Sequence, residues 1–235
     1  MGKTTCFNLI ILDESGSMSS ISPQTIAGCN ETLNVIRSLN EKYADSQRQL
    51  VSIYVFQSGN DKSPSRYLCK NVPIEQAKDI TDKDYRPWGC TPLLDAVGST
   101  LVDLRAVAST HEDAVASVTI ITDGMENSSS EYTWEQVSKL IEQLKELGWN
   151  FNFIGANIDV VKVSRKMNID NSMAFNASAK GTSNMMDRLA SNLASYHDDR
   201  VMFEKGLDAE EKIQYRKQRS KSFFRKEDED ENSPF

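Results

Sequence analysis

The chain of 235 residues is long enough for one large domain, or for one domain with an appendage. It carries 27 Lys and Arg residues against 34 Asp and Glu residues, a net charge of −7, which argues against binding of nucleic acid or an anionic membrane by the whole molecule. No run of the sequence approaches the roughly eighteen apolar residues that a membrane-spanning helix requires. The four cysteines form no Cys-x-x-Cys pair, which excludes a zinc ribbon and favours a reduced, cytoplasmic protein.

In chain order, apolar runs rich in β-branched residues alternate with amphipathic helical patterns. The apolar runs, which predict strands, cover residues 7–12, 50–56, 118–122 and 151–155. The helical patterns cover residues 25–39, 92–107, 133–147 and 183–196. A short segment at 66–74, bounded by prolines, predicts an antiparallel edge strand. This alternation predicts an α/β fold in which helices cover both faces of a mostly parallel sheet.

The composition changes near residue 205, so we predict a domain over 1–204 and a charged helix or tail over 205–235. Residues 212–226 carry seven positive charges and no negative one, and residues 227–231 carry five negative charges. Such charge runs are typical of a solvated helix or a disordered arm. The basic run could bind RNA, an acidic partner or the acidic surface of the domain itself.

Oxygen-bearing side chains follow two of the predicted buried strands. Asp13, Ser15 and Ser17 are spaced two residues apart after the first strand, and Asp123 follows the third within a Thr-Asp-Gly sequence. Thr91 opens the helix between these strands. In an open α/β sheet, ligands bind beyond the carboxyl ends of the strands, where the strand order reverses. Carboxylate and hydroxyl oxygens suit a hard cation such as Mg²⁺ or Mn²⁺.

The sequence Asp-x-Ser-x-Ser after a strand, a Thr before a helix and Thr-Asp-Gly after a buried strand, in this order, resembles the von Willebrand factor A (vWA) domain with its metal-ion-dependent adhesion site. The resemblance covers roughly residues 5–200. It implies a Rossmann-like, doubly wound sheet of six strands in the order 3-2-1-4-5-6. It also implies that Ser15, Ser17 and Thr91 ligate the metal through their hydroxyls, and that Asp13 and Asp123 act directly or through water.

Several residues next to the candidate ligands in sequence are expected to surround the same site. Gly16, Cys90, Gly124 and Glu126 are expected at its rim. Cys90 stands where many relatives of the family carry glycine, and we expect it to be a small buried residue. We expect Glu14 to point away from the metal, Asn127 to be a solvated loop residue, and Asp95 to be a helix-surface or hydrogen-bonding residue.

The resemblance implies a protein-binding module in which a partner's Asp or Glu carboxylate fills the open position on the metal. Intracellular bacterial relatives often work with AAA+ ATPases or in stress-response modules, so either is an expected partner. The alternatives are binding through the basic tail and a metal-dependent hydrolase. We expect no enzyme activity, because His111 and His197 are the only histidines and both are expected to be exposed.

Overall fold

The computed structural model describes residues 3–59, 65–156, 159–176 and 178–224. These residues form a six-stranded sheet in the order β3-β2-β1-β4-β5-β6, parallel except for the pairing of β2 with β3. The strands are β1 (Thr4–Asp13), β2 (Gln47–Phe56), β3 (Arg66–Pro73), β4 (Ala114–Thr122), β5 (Asn150–Gly155) and β6 (Asn171–Ala174). The predicted doubly wound fold with one antiparallel edge strand is confirmed.

Helices cover both faces of the sheet. They are α1 (Ser22–Lys42), α2 (Leu93–Ala108), α3 (Trp134–Lys145), α4 (Val160–Lys166), α5 (Ala179–Phe203) and α6 (Ala209–Ser220). Apolar residues of α2, α3 and α4 form one core with the sheet, and those of α1 and α5 form a second core on the opposite face. None of these helices is long and apolar enough to cross a bilayer.

The ends of β1 and β4 lie at the point where the strand order reverses. All ten residues of β1 are buried, because helices cover the strand on both faces and neighbouring strands flank both its edges. The pairing of Leu12 with Ile121 places Asp13 directly beside Thr122. The two predicted clusters of oxygen ligands therefore meet at one edge of the sheet.

Helix α5 is longer than the sequence predicted, and this extension changes the environment of His197. The expectation that His197 is exposed is wrong: the residue is only 2% exposed, because it lies on the inner face of α5. Burial lowers the pKa of its imidazole to about 3, with a further contribution from the charge of Arg200. His197 is therefore a neutral core residue at physiological pH.

The tail is not a solvated arm over the part that the structure describes. Helix α6 packs at the sheet, and Arg216 and Ser220 are buried. Its basic residues form ion pairs with acidic residues elsewhere in the chain: Lys212 and Arg216 with Asp113, Arg216 with Glu204, Lys217 with Glu146, and Arg219 with Asp199. This arrangement matches the third alternative above, in which the basic run binds the domain's own acidic surface. The acidic run 227–231 lies outside the described residues.

Candidate metal-binding site

Asp13 is held rigidly at the end of β1. Its carboxylate accepts a hydrogen bond from the backbone N–H of Ser15 at 2.7 Å and one from the hydroxyl of Thr122 at 2.5 Å. The phenol of Tyr85 donates to the carbonyl oxygen of Asp13 at 2.6 Å. Asp13 is fully buried, so its position is fixed by these contacts on both its side chain and its backbone.

The hydroxyls of the following turn connect Asp13 to the end of β4. The Oγ atoms of Ser15 and Ser17 are 3.2 Å apart, and the Ser17 hydroxyl donates to Oδ1 of Asp123 at 2.6 Å. Asp123 is 4% exposed. The short chain of polar contacts from Ser15 through Ser17 to Asp123 joins the two strand ends across the switch point.

The surroundings of Gly124 show that the candidate ligands lie around the same point. A methyl group built on Gly124 would lie 3.1 Å from Oγ1 of Thr91, 3.7 Å from Oγ of Ser17 and 3.8 Å from Oδ2 of Asp13. Oxygens from two segments, the end of β1 with its following turn and the loop before α2, therefore lie around one small volume beside Gly124. The structure thus brings together all five residues that the sequence singled out as metal ligands.

The electrostatics of this cluster favour a bound cation. Burial raises the pKa of Asp13 to about 6, although the hydrogen bonds from Thr122 and Ser15 act in the opposite direction, and the nearby charge of Asp123 adds to the increase. Burial also raises the pKa of Asp123, although the Ser17 hydroxyl partly offsets it. Two carboxylates that are costly to ionise side by side are stabilised in their charged form by a positive ion between them.

Glu14 points away from the cluster, as expected. Its buried carboxylate forms an ion pair with Arg66 at 2.7 Å and accepts the backbone N–H of Arg86 at 2.6 Å. Its carbonyl oxygen accepts the backbone N–H of Trp88 at 2.8 Å. Glu14 therefore fastens the loop before Thr91 to the turn after β1, and its own charge is neutralised.

The rim residues Gly16 and Cys90 lie on these two adjoining segments. The N–H of Gly16 donates to the carbonyl oxygen of Gly89 at 3.1 Å, and Cys90 exchanges two backbone hydrogen bonds with Ser58. Gly89 has a φ of +74°, and a Cβ there would lie 1.8 Å from the carbonyl oxygen of Ser58, so glycine is required. The expectation that Cys90 is a buried residue is wrong: it is exposed, because its backbone rather than its side chain is held by Ser58.

Thr91 is positioned by Asn127, whose role the sequence did not reveal. The side-chain oxygen of Asn127 accepts the N–H of Thr91 at 2.8 Å, and the N–H of Asn127 donates to the carbonyl oxygen of Thr91 at 3.2 Å. This reciprocal pair fixes the backbone of Thr91, and with it the direction of the hydroxyl. An isolated Asn in a polar loop gives no sequence signal of such a contact.

Two carboxylates near the cluster have structural roles. Glu126, expected at the rim, accepts N–H groups from Leu94 and Ser129, and so it binds the first turn of α2 rather than facing outward. Asp95 accepts the N–H groups of residues 130–132, which confirms its expected role as a hydrogen-bonding residue. Both carboxylates hold the loop after β4 against the start of α2.

The donor set of the cluster fits a hard divalent cation. It combines two carboxylates with three hydroxyls, and oxygens of this kind are the ligands of Mg²⁺ and Mn²⁺. The part of the chain that the structure describes contains no group of three or more His, Cys, Asp and Glu residues with metal-binding geometry. A zinc centre rich in His and Cys is therefore not indicated, and a hydroxyl-rich site for Mg²⁺ or Mn²⁺ is the arrangement that the residues support.

No protein-family model and no curated protein matches the sequence. Among solved structures, the open conformation of the pilus adhesin SpaC from Lactobacillus rhamnosus GG is similar with a TM-score of 0.59 and 14% identity, over 83% of this chain and 30% of that one. The D319A mutant of the minor pilin PilB from Streptococcus sanguinis is similar with a TM-score of 0.55 and 11% identity, over 88% of this chain and 64% of that one. The chain therefore spans less than two thirds of the length of either of these two pilus proteins.

The vWA domain of SpRpn10 is similar with a TM-score of 0.47 and 11% identity, over 80% of this chain and 94% of that one. The similarity to SpaC and PilB, at 14% and 11% identity, shows a shared fold. The strand order, the antiparallel edge strand and the helices on both faces define a Rossmann-like, doubly wound fold, which is the fold class that the sequence predicted.

Proposed function

We propose that the protein is a divalent-metal-dependent binding module that captures an Asp or Glu side chain of a partner protein. The observation that carries this proposal is the convergence of Thr91, Ser17 and Asp13 oxygens on the space in front of Gly124. Together with Ser15 and Asp123, these residues would hold Mg²⁺ or Mn²⁺. The bound ion would supply the positive charge that attracts the partner's carboxylate.

The site supports binding rather than catalysis. His197 is buried in the core beneath α5, and His111 contacts Val107 and the ring of Phe7, far down β1 from Asp13. Neither histidine is available as a general base at the cluster. We therefore propose that the protein is not an enzyme.

The vWA-like fold supports an interaction module in general. The unpaired cysteines support a location in the cytoplasm. All four cysteines are unpaired, and Cys6 and Cys29 are buried as thiols. Unpaired thiols are typical of a reducing compartment. We place the module in the cytoplasm on this basis, with a protein such as an AAA+ ATPase or a stress-response component as its partner.

A capture experiment from a lysate of the source cells tests the proposed function. We expect a partner to be retained by the wild-type protein with Mg²⁺, and to be lost when EDTA replaces Mg²⁺ or when the bait is Asp13→Ala. Asp103→Ala is the matched control, because Asp103 is an exposed carboxylate of α2 that pairs with Lys70 away from the cluster. If all four baits retain the same proteins, the metal site is not what recruits them.

Removing the side chain of Asn127 is expected to weaken metal binding without unfolding the protein. The Asn127→Ala variant loses the acceptor for the N–H of Thr91, so the Thr91 hydroxyl is no longer held in place. Residues that orient metal ligands typically contribute about 10- to 100-fold to affinity, and we expect a loss near the lower value. Calorimetric titration with Mn²⁺ measures the effect. The exposed neighbour Ser130→Ala should bind Mn²⁺ as the wild type does, and equal affinities in both variants would remove Asn127 from the site.

A further inference from the structure

Two large apolar side chains are exposed beside the candidate metal site. Trp88 is 60% exposed and Met125 is 67% exposed. Trp88 lies three residues before Thr91, and Met125 lies two residues after Asp123, so each belongs to a loop that supplies a ligand. Exposed aromatic and methionine side chains that flank a polar site are typical of protein-interaction surfaces.

The backbone contacts place Trp88 against the site rather than merely near it in sequence. The N–H of Trp88 donates to the carbonyl oxygen of Glu14, and the next residue, Gly89, accepts the N–H of Gly16. The loop therefore runs alongside the turn that carries Ser15 and Ser17. Because the backbone on both sides of its side chain is fixed, Trp88 can bind a partner with little loss of conformational entropy.

The loop of Trp88 carries an exposed positive charge at Arg86, which the nearby carboxylate of Asp84 partly offsets. Arg86 is exposed two residues before Trp88, with its backbone fixed by the Glu14 carboxylate. The negative charge of Glu14 is neutralised by Arg66 and buried. Glu126 uses both carboxylate oxygens in hydrogen bonds to the chain. The surface beside the tryptophan thus offers an apolar ring and a cation next to the metal site.

We propose that the partner presents its acidic side chain next to a large apolar residue, and that Trp88 and Met125 select such a segment by packing against that residue. This inference rests on the proposed function, in which the bound metal attracts any carboxylate. A metal ion alone does not distinguish one Asp or Glu from another, so selectivity must come from the surrounding surface. Aromatic side chains at the centre of an interface are the groups that most often supply it.

An array of immobilised peptides tests this inference. Each peptide carries one central Asp flanked on both sides by Ala, Leu, Phe or Lys, and it is probed with the labelled full chain in Mg²⁺. We expect Leu- and Phe-flanked peptides to bind at least about fivefold more tightly than Ala-flanked ones, the ratio that a contact of about 1 kcal/mol produces. Trp88→Ala and Met125→Ala should each reduce this preference while keeping Mg²⁺-dependent binding to the Ala-flanked peptide.

The controls are exposed apolar residues far from the site. Phe203 is 53% exposed and Met202 is 73% exposed at the end of α5, so Phe203→Ala and Met202→Ala match the two test variants and should keep the preference. If Mg²⁺-dependent binding is present but indifferent to the flanking residues, or unchanged in both rim variants, the inference is overturned and the proposed function stands. If no peptide binds in a Mg²⁺-dependent manner, both fail.

Discussion

Magnesium is expected to raise the melting temperature of the wild-type protein and to leave that of the Asp13→Ala variant unchanged. A ligand that binds only the folded state at about 100 times its Kd adds about 2.7 kcal/mol to the free energy of unfolding. For a chain of this length, that corresponds to a shift of about 5–10 °C. Differential scanning calorimetry in EDTA and in excess Mg²⁺ measures the shift for each protein.

The quantity to compare is the shift produced by Mg²⁺, not the melting temperature itself. Asp13 accepts hydrogen bonds from Ser15 and Thr122, so Asp13→Ala leaves the buried N–H of Ser15 without its acceptor and removes the shorter hydrogen bond of the Thr122 hydroxyl. The substitution therefore destabilises the protein even in EDTA. The control Asp103→Asn should show the full shift of the wild type. A full shift in Asp13→Ala would place the stabilising ion elsewhere in the molecule.

A second variant blocks the site without removing any ligand. Gly124→Ala places a methyl group 3.1 Å from Oγ1 of Thr91 and 3.7 Å from Oγ of Ser17, in the space on which the oxygens converge. We expect it to fold in EDTA and to show a smaller Mg²⁺ shift than the wild type. If its shift equals that of the wild type, the ion does not lie in front of Gly124.

The sheet was predictable because its central strands are apolar on both faces. Such strands give near-continuous runs of β-branched residues, and β1 and β4 stand out for this reason. The sequence patterns did not predict α4 or β6. Helix α4 has only seven residues and β6 only four, so both are too short for a clear pattern. In β6, the buried residue Asn171 is polar and donates hydrogen bonds to the carbonyl oxygens of Phe151 and Ser220.

The candidate ligands were predictable from their positions at strand ends. The hydrogen bonds that hold these ligands in place were not predictable. Asp13 and Asp123 follow buried strands, so the topology alone brings them together. Asn127 acts through hydrogen bonds with the backbone of Thr91, 36 residues away, and Tyr85 acts on the carbonyl oxygen of Asp13, 72 residues away. Contacts of this kind depend on how loops meet in space, which no local pattern records.

The packing of the charged tail also could not be predicted from a local sequence pattern. Its composition predicted a solvated helix or arm, because seven positive charges in fifteen residues rarely enter a core. Arg216 is nevertheless buried, because its charge meets Glu204 and Asp113, which are 12 and 103 residues away. Composition left open whether the tail is a helix or a disordered arm, and only the positions of the acidic partners show that α6 packs against the domain.

Replacing Glu204 with Gln is expected to lower the free energy of unfolding by about 3–5 kcal/mol, the cost of breaking a buried ion pair on one side. Glu204 is bound by two arginines: Arg200 donates to its carboxylate at 2.9 Å, and Arg216 donates through two nitrogens at 2.9 and 2.7 Å. The side chain of Arg200 is fully buried and that of Arg216 is 3% exposed. A neutral Gln removes the carboxylate that both arginines share. Asp113 is then the remaining carboxylate partner of Arg216.

Urea denaturation at pH 7 measures the loss, and Glu146→Gln is the matched control. Glu146 also pairs with α6, through Lys217, but its side chain is 67% exposed and solvent screens the pair, so we expect the urea midpoint of the wild type to be retained. Hydrogen exchange should show faster exchange over α6 in Glu204→Gln than in Glu146→Gln. Similar effects of the two substitutions would mean that the buried pairs contribute no more than exposed ones.

The effect of Glu204→Gln should also depend on pH. Burial raises the pKa of Glu204, but the hydrogen bonds and charges of Arg216 and Arg200 outweigh burial and lower it. The pKa of Asp113 is lowered to about 2, because the charge of Arg216 and hydrogen bonds from Thr4, Lys212 and Arg216 outweigh burial. A carboxyl group with a lowered pKa stabilises the fold above its unfolded pKa, about 4.3 for Glu, and loses this contribution as the pH falls through the folded value. The difference in the free energy of unfolding between wild type and Glu204→Gln should therefore be constant from about pH 7 to 5. It should shrink below about pH 4, because Gln does not titrate. A gap that stays constant down to about pH 2 would show that the charge of Glu204 is not what holds α6 to the domain.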